Sequence, residues 1–440
     1  MGDLLIKNGF LAGPNAPYMK TDILIENGKI KAIGKFDKKD GVECIDAEGK
    51  VVLPGFVNCH HHLYSALARG IPIGPGTKLN NFDNILKNLW WRLDVALNKE
   101  DIYYSAMVGI LDSVKNGVTT IVDHHASFGF IEGSLDVIED AMVETGVRGV
   151  LCYEVSDRHG EDATLASIKE NQRFLKKVND KDYAYKDSIG ALFGLHAAFT
   201  CSDKTLERCV VANDDFNTGF HIHVSEDLMD VNLSMKNHGK RVVPRLLERG
   251  ILEKNTLCVH GVHIDKREIE ILSKKNCYLA YNPMSNMNNA VGVPPILDMI
   301  SAGVKVVQGT DGFSSSLLEN FKYAFLLQKI TKMDPGAFSY GDIDDYFFNN
   351  PSVLFNQFFG KNTLETGAVG DVIILDYYPP TPLSEANMTG HLIFGFSQRK
   401  PETVIINGEV IVKDGKNCKV CEKEIAEKSC EVASKLWKRW

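Results

Sequence analysis

VVLPGFVNCHHH, residues 51–62, is an apolar, β-branched run that ends in three consecutive histidines. Such a run reads as a buried strand, so the histidines stand at its C-terminal end. In an extended chain, residues two apart share a face. His60 and His62 therefore point to one side and His61 to the other. A strand that delivers two imidazoles to one spot suits a metal site. Solvent-facing histidine runs also exist, but this one lies in the chain interior behind apolar residues, which favours metal.

Seven further runs have the same texture: VTTIVDH (118–124), VRGVLCY (147–153), IGALFGLH (189–196), GFHIHV (219–224), TLCVHG (256–261), CYLAYN (277–282) and VKVVQGTD (304–311). With residues 51–58 they make eight strands. Helical patterns lie between most of them, such as SLDVIEDAMVETG, which ends on Gly146 as a C-cap. Alternating strands and helices in this number predict an α/β fold, a (β/α)8 TIM-like barrel. Polar residues gather at the strand ends: His60, His62, His124, His196, His223, His260, Asn282 and Asp311. Barrel enzymes carry their active sites on that face.

The two ends of the chain differ from the middle. LLIKNGFL and DILIENGKIKAIG near the start, and DVIILDYY and TVIINGEVIVKDG near the end, are short strands with turn signals. Asn8-Gly9, Asn27-Gly28 and Asn407-Gly408 read as tight hairpin turns. We therefore expect residues 1–54 and 366–415 to build a composite β-sandwich, and 55–365 to form the barrel. Residues 416–440 would carry a charged amphipathic C-terminal helix, EKEIAEKSCEVASKLWKRW, packed on the outside.

Composition narrows the class. The chain has 440 residues, 44% hydrophobic and 24% charged, with a formal net charge of −8. That is ordinary globular composition and argues against a general nucleic-acid binder, which is usually basic. The start, MGDLLIKNGF, lacks the basic and apolar regions of a signal peptide. No apolar run approaches the roughly 18 residues of a membrane span. The ten cysteines have no framework spacing and read as reduced thiols of a cytoplasmic protein. The lone CxxC at Cys418–Cys421 reads as ordinary cysteines beside a terminal helix.

Two other stretches complete the chemistry. HIHVSE (221–226) offers His223 as a third nitrogen ligand, with Glu226 placed to turn over the metal as acid and base. His221 reads as a core histidine or one that supports a ligand. Asp311 ends a buried strand, which is costly unless the carboxylate is paired or binds a metal. Three neutral histidines and one Asp would hold one divalent ion, and such an ion lowers the pKa of its bound water to roughly 7. Asp311 is then close enough to accept that water's proton. His260 would be either a fifth ligand or, the favoured reading, the hydrogen-bond partner that orients the nucleophile. His196, at the end of the fourth strand, is read as a substrate contact. That strand end carries no Lys to bridge two metals, which argues for one ion.

The long segment 63–98 would run over the mouth of the barrel. Trp91 there could stack on a flat substrate, or both Trp90 and Trp91 could be the core of a loop helix. Asn286, in YNPMSNMNN, could bond a substrate or hold its own turn. His124 and His125 are further pocket candidates. There is no GxxxxGK[ST] phosphate loop and no G-x-S-x-G nucleophile elbow.

PGFVNCHHH, HIHVSED, CVHG and GTDG resemble the motifs of the amidohydrolase superfamily, within it the cytosine/guanine/S-adenosylhomocysteine deaminase and triazine hydrolase group. The resemblance covers nearly the whole chain. It implies a barrel with a composite β-sandwich and ligands at His60, His62, His223 and Asp311. It also implies a proton shuttle at Glu226, a catalytic histidine at His260 and a substrate contact at His196. It further implies a cytoplasmic homodimer.

The expectation is a hydrolase that attacks an sp2 carbon of a purine-like nitrogen heterocycle and releases ammonia. Zn is the first choice of metal; Fe and Mn suit the same donors. Two alternatives stand beside it. One is hydrolysis of a cyclic amide or a C–halide bond at the same site. The other is a non-catalytic accessory protein in selenium-linked or purine metabolism. The intact acid/base set argues against the second, since a pure binder needs no Glu226.

Overall fold

Pro54 and Gly55 divide the decisive run in two. Val51–Pro54 and Phe56–His61 are separate strands. The computed structural model describes residues 2–38 and 40–440. In it Val51–Pro54 joins the sheet built from the two ends of the chain, pairing with Leu4–Leu11 and Val372–Leu375. Only Phe56–His61 belongs to the barrel, where it pairs with Val118–Asp123. The expected single first strand, 51–58, is thus corrected. The cause lies at the junction: Gly55 donates its N–H to Asp371 O at 2.9 Å. A Cβ there would lie 2.3 Å from Thr119 Oγ1, so only glycine lets the chain cross so closely from one sheet to the other.

The sheet from the two ends has nine strands. Its edges are Lys29–Gly34 and Lys416–Asn417, and the strand Glu43–Asp46 pairs with Leu4–Leu11 off the main path. Asn27-Gly28 and Asn407-Gly408 are tight turns with both residues at positive φ. Asn8-Gly9 is not one, and that expectation is corrected. Leu4–Leu11 is one continuous strand with a register shift between Ile6 and Gly9, where Asn8 sits at φ 62°. The left-handed Asn makes a β-bulge instead of reversing the chain.

The barrel wall is a four-stranded and a five-stranded parallel sheet. Ile189–Ala191 and Phe193–Ala197 are one run interrupted at Leu192, so the wall has the eight expected strands. The two halves also meet at the other seam. Thr310 and Asp311 both donate N–H to His60 O, at 2.9 and 3.0 Å. Asn58 Nδ2 donates to Thr310 Oγ1 at 2.7 Å. The last strand is thereby tied to the first, and Asp311 is brought beside the histidines. The fold is an α/β barrel joined to a composite β domain.

A buried ion pair ties the two parts together. Arg148 donates from Nε to Asp371 at 2.9 Å, and both side chains are essentially solvent-free. The C-terminal helix, Glu422–Arg439, packs on the helix Lys99–Val114. Its Trp437 Nε1 donates to Leu67 O at 2.9 Å, and Arg439 pairs with Asp101. Among the described residues no helix is long and apolar enough to cross a membrane.

Candidate active site

The strand ends bring His60, His62, His223, His260 and Asp311 together. His62 Nδ1 donates to His124 O at 2.6 Å, and His223 Nδ1 donates to His196 O at 2.7 Å. These bonds fix both tautomers, so each Nε2 carries a lone pair. The two Nε2 atoms face each other at 3.3 Å. Asp311 Oδ1 lies 3.3 Å from His62 Nε2 and 4.0 Å from His60 Nε2. Two lone pairs and a carboxylate converging in a buried spot repel one another unless a cation lies among them. His60 Nε2 and His260 Nε2 are also buried with no hydrogen-bond partner among the described residues. The residues therefore fit a divalent metal ion. Burial, first of all, holds His60 and His223 well below the usual imidazole range, which leaves them neutral as ligands must be.

Each ligand is itself held. His60 Nδ1 bonds to His221 Nε2 at 2.9 Å, so His221 steadies the ligand. His61 turns away and bonds Thr310 Oγ1 at 2.9 Å. Asp311 accepts from Ser285 Oγ at 2.7 Å and from Gly312 N at 2.6 Å. Burial alone would raise the Asp311 carboxyl, but His62, His260 and the Ser285 bond outweigh it and hold it well below the carboxylate range. Gly309 is needed beneath it, because a Cβ there would stand 2.2 Å from Asn282 Oδ1.

Glu226 and His260 overlook this cluster. His260 Nδ1 donates to Asn286 Oδ1 at 2.8 Å, which aims its Nε2 at Glu226 Oε2 (3.4 Å) and Asp311 Oδ2 (3.6 Å). Burial pushes the Glu226 carboxyl well above its usual range, and the charge of Asp311 adds to this. A carboxyl kept protonated near neutral pH can serve as an acid. Ser225, His260 and Asp311 all sit at positive φ, 49°, 72° and 56°. Such strained backbone at strand ends accompanies functional sites.

The cavity above is lined by His62, His196, His223, Glu226 and Asp311, and is roofed by the segment that follows the first strand. Phe82, Leu86, Trp90 and Trp91 form the roof. Trp91 opens the helix Trp91–Ala96, so it is at once part of a loop helix and a wall of the cavity. The Arg158 guanidinium lies 4.8 Å above its ring and pairs with Asp94 at 3.0 Å. His196 bonds Thr200 Oγ1 through Nδ1 at 2.7 Å and turns its other edge to the cavity.

Asn286 lies behind His260. Its Oδ1 is committed to His260 and it does not line the cavity; Ser285, Asn288 and Asn289 from the same stretch do. The residue supports a histidine because its helix, Pro283–Asn288, points it inward. His124 and His125 are fully buried and lie outside the cavity lining. Sequence reading missed Glu154, which lines the cavity 3.4 Å from His62 Nδ1 and 3.8 Å from His196 Nε2. Its signal was available: it closely follows the third strand, Arg148–Leu151, on the catalytic face. The Asp94–Arg158 pair, by contrast, had no sequence signal.

Residues 51–411 match the model of the amidohydrolase family, and the chain belongs to that family. It is a hydrolase that acts on carbon–nitrogen bonds. It is 31% identical over 414 residues to a 5-methylthioadenosine/S-adenosylhomocysteine deaminase of Thermococcus sibiricus, covering 93% of this chain and 94% of that one. It is 29% identical over 441 residues to a 5'-deoxyadenosine deaminase of Methanococcus maripaludis, covering 96% and 97%. Among solved structures it resembles an adenosine deaminase from Xanthomonas campestris with bound zinc, at a TM-score of 0.85, 18% identity, and 99% and 98% coverage. It also resembles the zinc complex of the atrazine chlorohydrolase TrzN from Arthrobacter aurescens TC1, at a TM-score of 0.82, 20% identity, and 98% and 100% coverage.

Proposed function

We propose that this chain is a mononuclear hydrolytic deaminase of a purine-like nitrogen heterocycle, with its ion, zinc first, on His60, His62, His223 and Asp311. The observation that carries the reading is the pair of Nε2 lone pairs facing each other beside Asp311, beneath Glu226 and His260. When bound, the ion would supply a water acidic enough to deprotonate near neutral pH and a positive charge for the developing oxyanion. Asp311, held ionised, accepts a proton from that water. His260 orients its oxygen through Nε2. Glu226 protonates the ring nitrogen next to the attacked carbon, then passes the second proton to the amino group. A C–O bond forms, the C–N bond breaks and ammonia leaves; the proton that Asp311 took returns to Glu226, so the two protons of the water account for those gained by the ring nitrogen and by ammonia. His196 and Trp91 contact the flat ring, and Glu154 faces it from the third strand.

The deaminase names of the relatives support this substrate class. NLWWRLD, DHHAS, HIHVSEDL, SNMNN and GTDGFSS also resemble the aminohydrolase SsnA, and with it go purine or selenium-linked catabolism, a cytoplasmic location and a homodimer. The domain division 1–54 with 366–415, 55–365 and 416–440 belongs to the same proposal. The test is incubation of the metal-loaded protein with aminopurines, aminopyrimidines and pterins in 18O-water. Label in a new ring carbonyl with matching ammonia supports deamination. A ring-opened or dehalogenated product, without ammonia, overturns it.

A further inference from the structure

We infer that Trp440 is a positioning residue for the roof of the cavity: its ring, set against Leu89 and Arg92, holds the segment that carries Trp91 over the site. That segment runs through the helix Phe82–Ile85, the π-helical turn Leu86–Trp90 and the helix Trp91–Ala96. Single π-helical turns recur at functional sites. Among the described residues, one hydrogen bond joins residues 72–90 to the rest of the chain: Trp440 Nε1 donates to Leu89 O at 3.4 Å. Their other hydrogen bonds are local, such as Asn88 Nδ2 to Lys78 O at 2.9 Å and Asn84 Nδ2 to Asn80 Oδ1 at 2.8 Å. The Arg92 guanidinium lies 4.4 Å from the centroid of the Trp440 ring. Polar ties to the barrel resume at Asp94, which pairs with Arg158.

The rest of the support is apolar. Phe82 and Leu86 cluster with Val262 and Val291, and Trp90, Trp91, Phe199 and Met229 pack against them. Val262, Val291, Phe199 and Met229 all follow barrel strands, so this seam is where the roof meets the barrel. Apolar contact sets no direction, and a segment with few outside hydrogen bonds opens at low cost. The directional hold comes from the other side. Trp437 and Arg439 fix the flanks of the roof at Leu67 O and Asp101, and Trp440 fixes its middle. What they hold in place is Trp91. Its ring walls the cavity, and its Nε1 is buried with no hydrogen-bond partner among the described residues. A buried donor left idle beside a cavity is free for a substrate acceptor. Trp440 does not line the cavity and acts through Leu89 and Arg92. On the deaminase reading proposed above, a loosened roof weakens substrate binding. The groups that do the chemistry stand on the barrel strand ends and keep their places.

The test compares the full chain with Trp440→Ala, Trp440→Phe and Arg92→Met. Backbone hydrogen exchange is read by mass spectrometry on peptides from residues 82–96 and, for reference, on the strand Leu257–His260. We expect Trp440→Ala and Arg92→Met to speed exchange over 82–96 about tenfold. Trp440→Phe keeps a ring under Arg92 and should speed it less than about threefold. The reference strand should exchange at the wild-type rate. Unchanged exchange over 82–96 in Trp440→Ala overturns the inference, and so does a speeding that extends to the reference strand. If Trp440→Ala does not fold, Arg92→Met, whose side chain is exposed, decides by the same outcomes. On an aminopurine that the wild type deaminates, Trp440→Ala should raise KM about tenfold and leave kcat within about twofold. A fall in kcat at unchanged KM overturns the positioning role. Silence of the wild type on every compound would be a failure of the proposed function, and the exchange rates would still decide the role of Trp440.

Discussion

His62 and His223 face each other through Nε2 at 3.3 Å, and each has its Nδ1 tied to a backbone carbonyl of a neighbouring strand. Rotation to relieve the repulsion would break those bonds, so the pair is set for an ion before any ion arrives. His223→Ala removes one jaw. We expect the variant to retain at least tenfold less metal after mild chelation, measured by metal analysis, with the fold intact by circular dichroism. Full occupancy would refute the ligand assignment.

Asn286 acts on the chemistry through His260. In Asn286→Ala the histidine loses the acceptor that aims its Nε2. Turnover should fall about 10- to 100-fold while KM stays close to wild type. A change in KM alone would return Asn286 to the role of substrate contact.

Arg148 and Asp371 hold the barrel to the composite sheet, and Asp371 also accepts the Asn407 N–H at 2.7 Å. Arg148→Met leaves a buried carboxylate without its cation. Urea unfolding should show a loss of about 3–5 kcal/mol. A loss below about 1 kcal/mol would mean that solvent reaches the junction.

Burial, helped by the nearby His62, lowers His125 from 6.5 to about 3. Between those values the unfolded chain takes up a proton that the folded chain refuses, so stability falls as pH drops below 6.5. The slope is up to about 1.4 kcal/mol per pH unit. Other buried groups titrate too, so the difference between wild type and His125→Asn isolates this one. In chelator, the variant should lose less stability than wild type between pH 6 and 4, roughly by that slope. Parallel curves would contradict it.

The strand ends were legible because barrel strands announce themselves as apolar β-branched runs, and the residue that closes each run falls on one face. That is how His60, His62, His196, His223, His260 and Asp311 could be placed near one another. The break at Gly55 was not legible, since two strands of different sheets abut there with only that one residue between them. Asn8-Gly9 misled because the same left-handed Asn serves a hairpin or a bulge, and only pairing with Met19–Glu26 decides. Trp91 and Asp94, on one short helix, meet Arg158 from a separate helical turn of unrelated sequence, and no local pattern encodes such a meeting. The bond of Asn286 to His260 was not legible, because a short helix rather than a loop carries the residue.

The most direct measurement is ammonia release by metal-loaded protein from a panel of aminopurines, aminopyrimidines and pterins, run beside Glu226→Gln. The account predicts ammonia from at least one compound with wild type. In Glu226→Gln it predicts a fall of about 10²- to 10⁴-fold with metal content unchanged. Equal release by the two proteins, or none from a wild type that holds its metal, would contradict it.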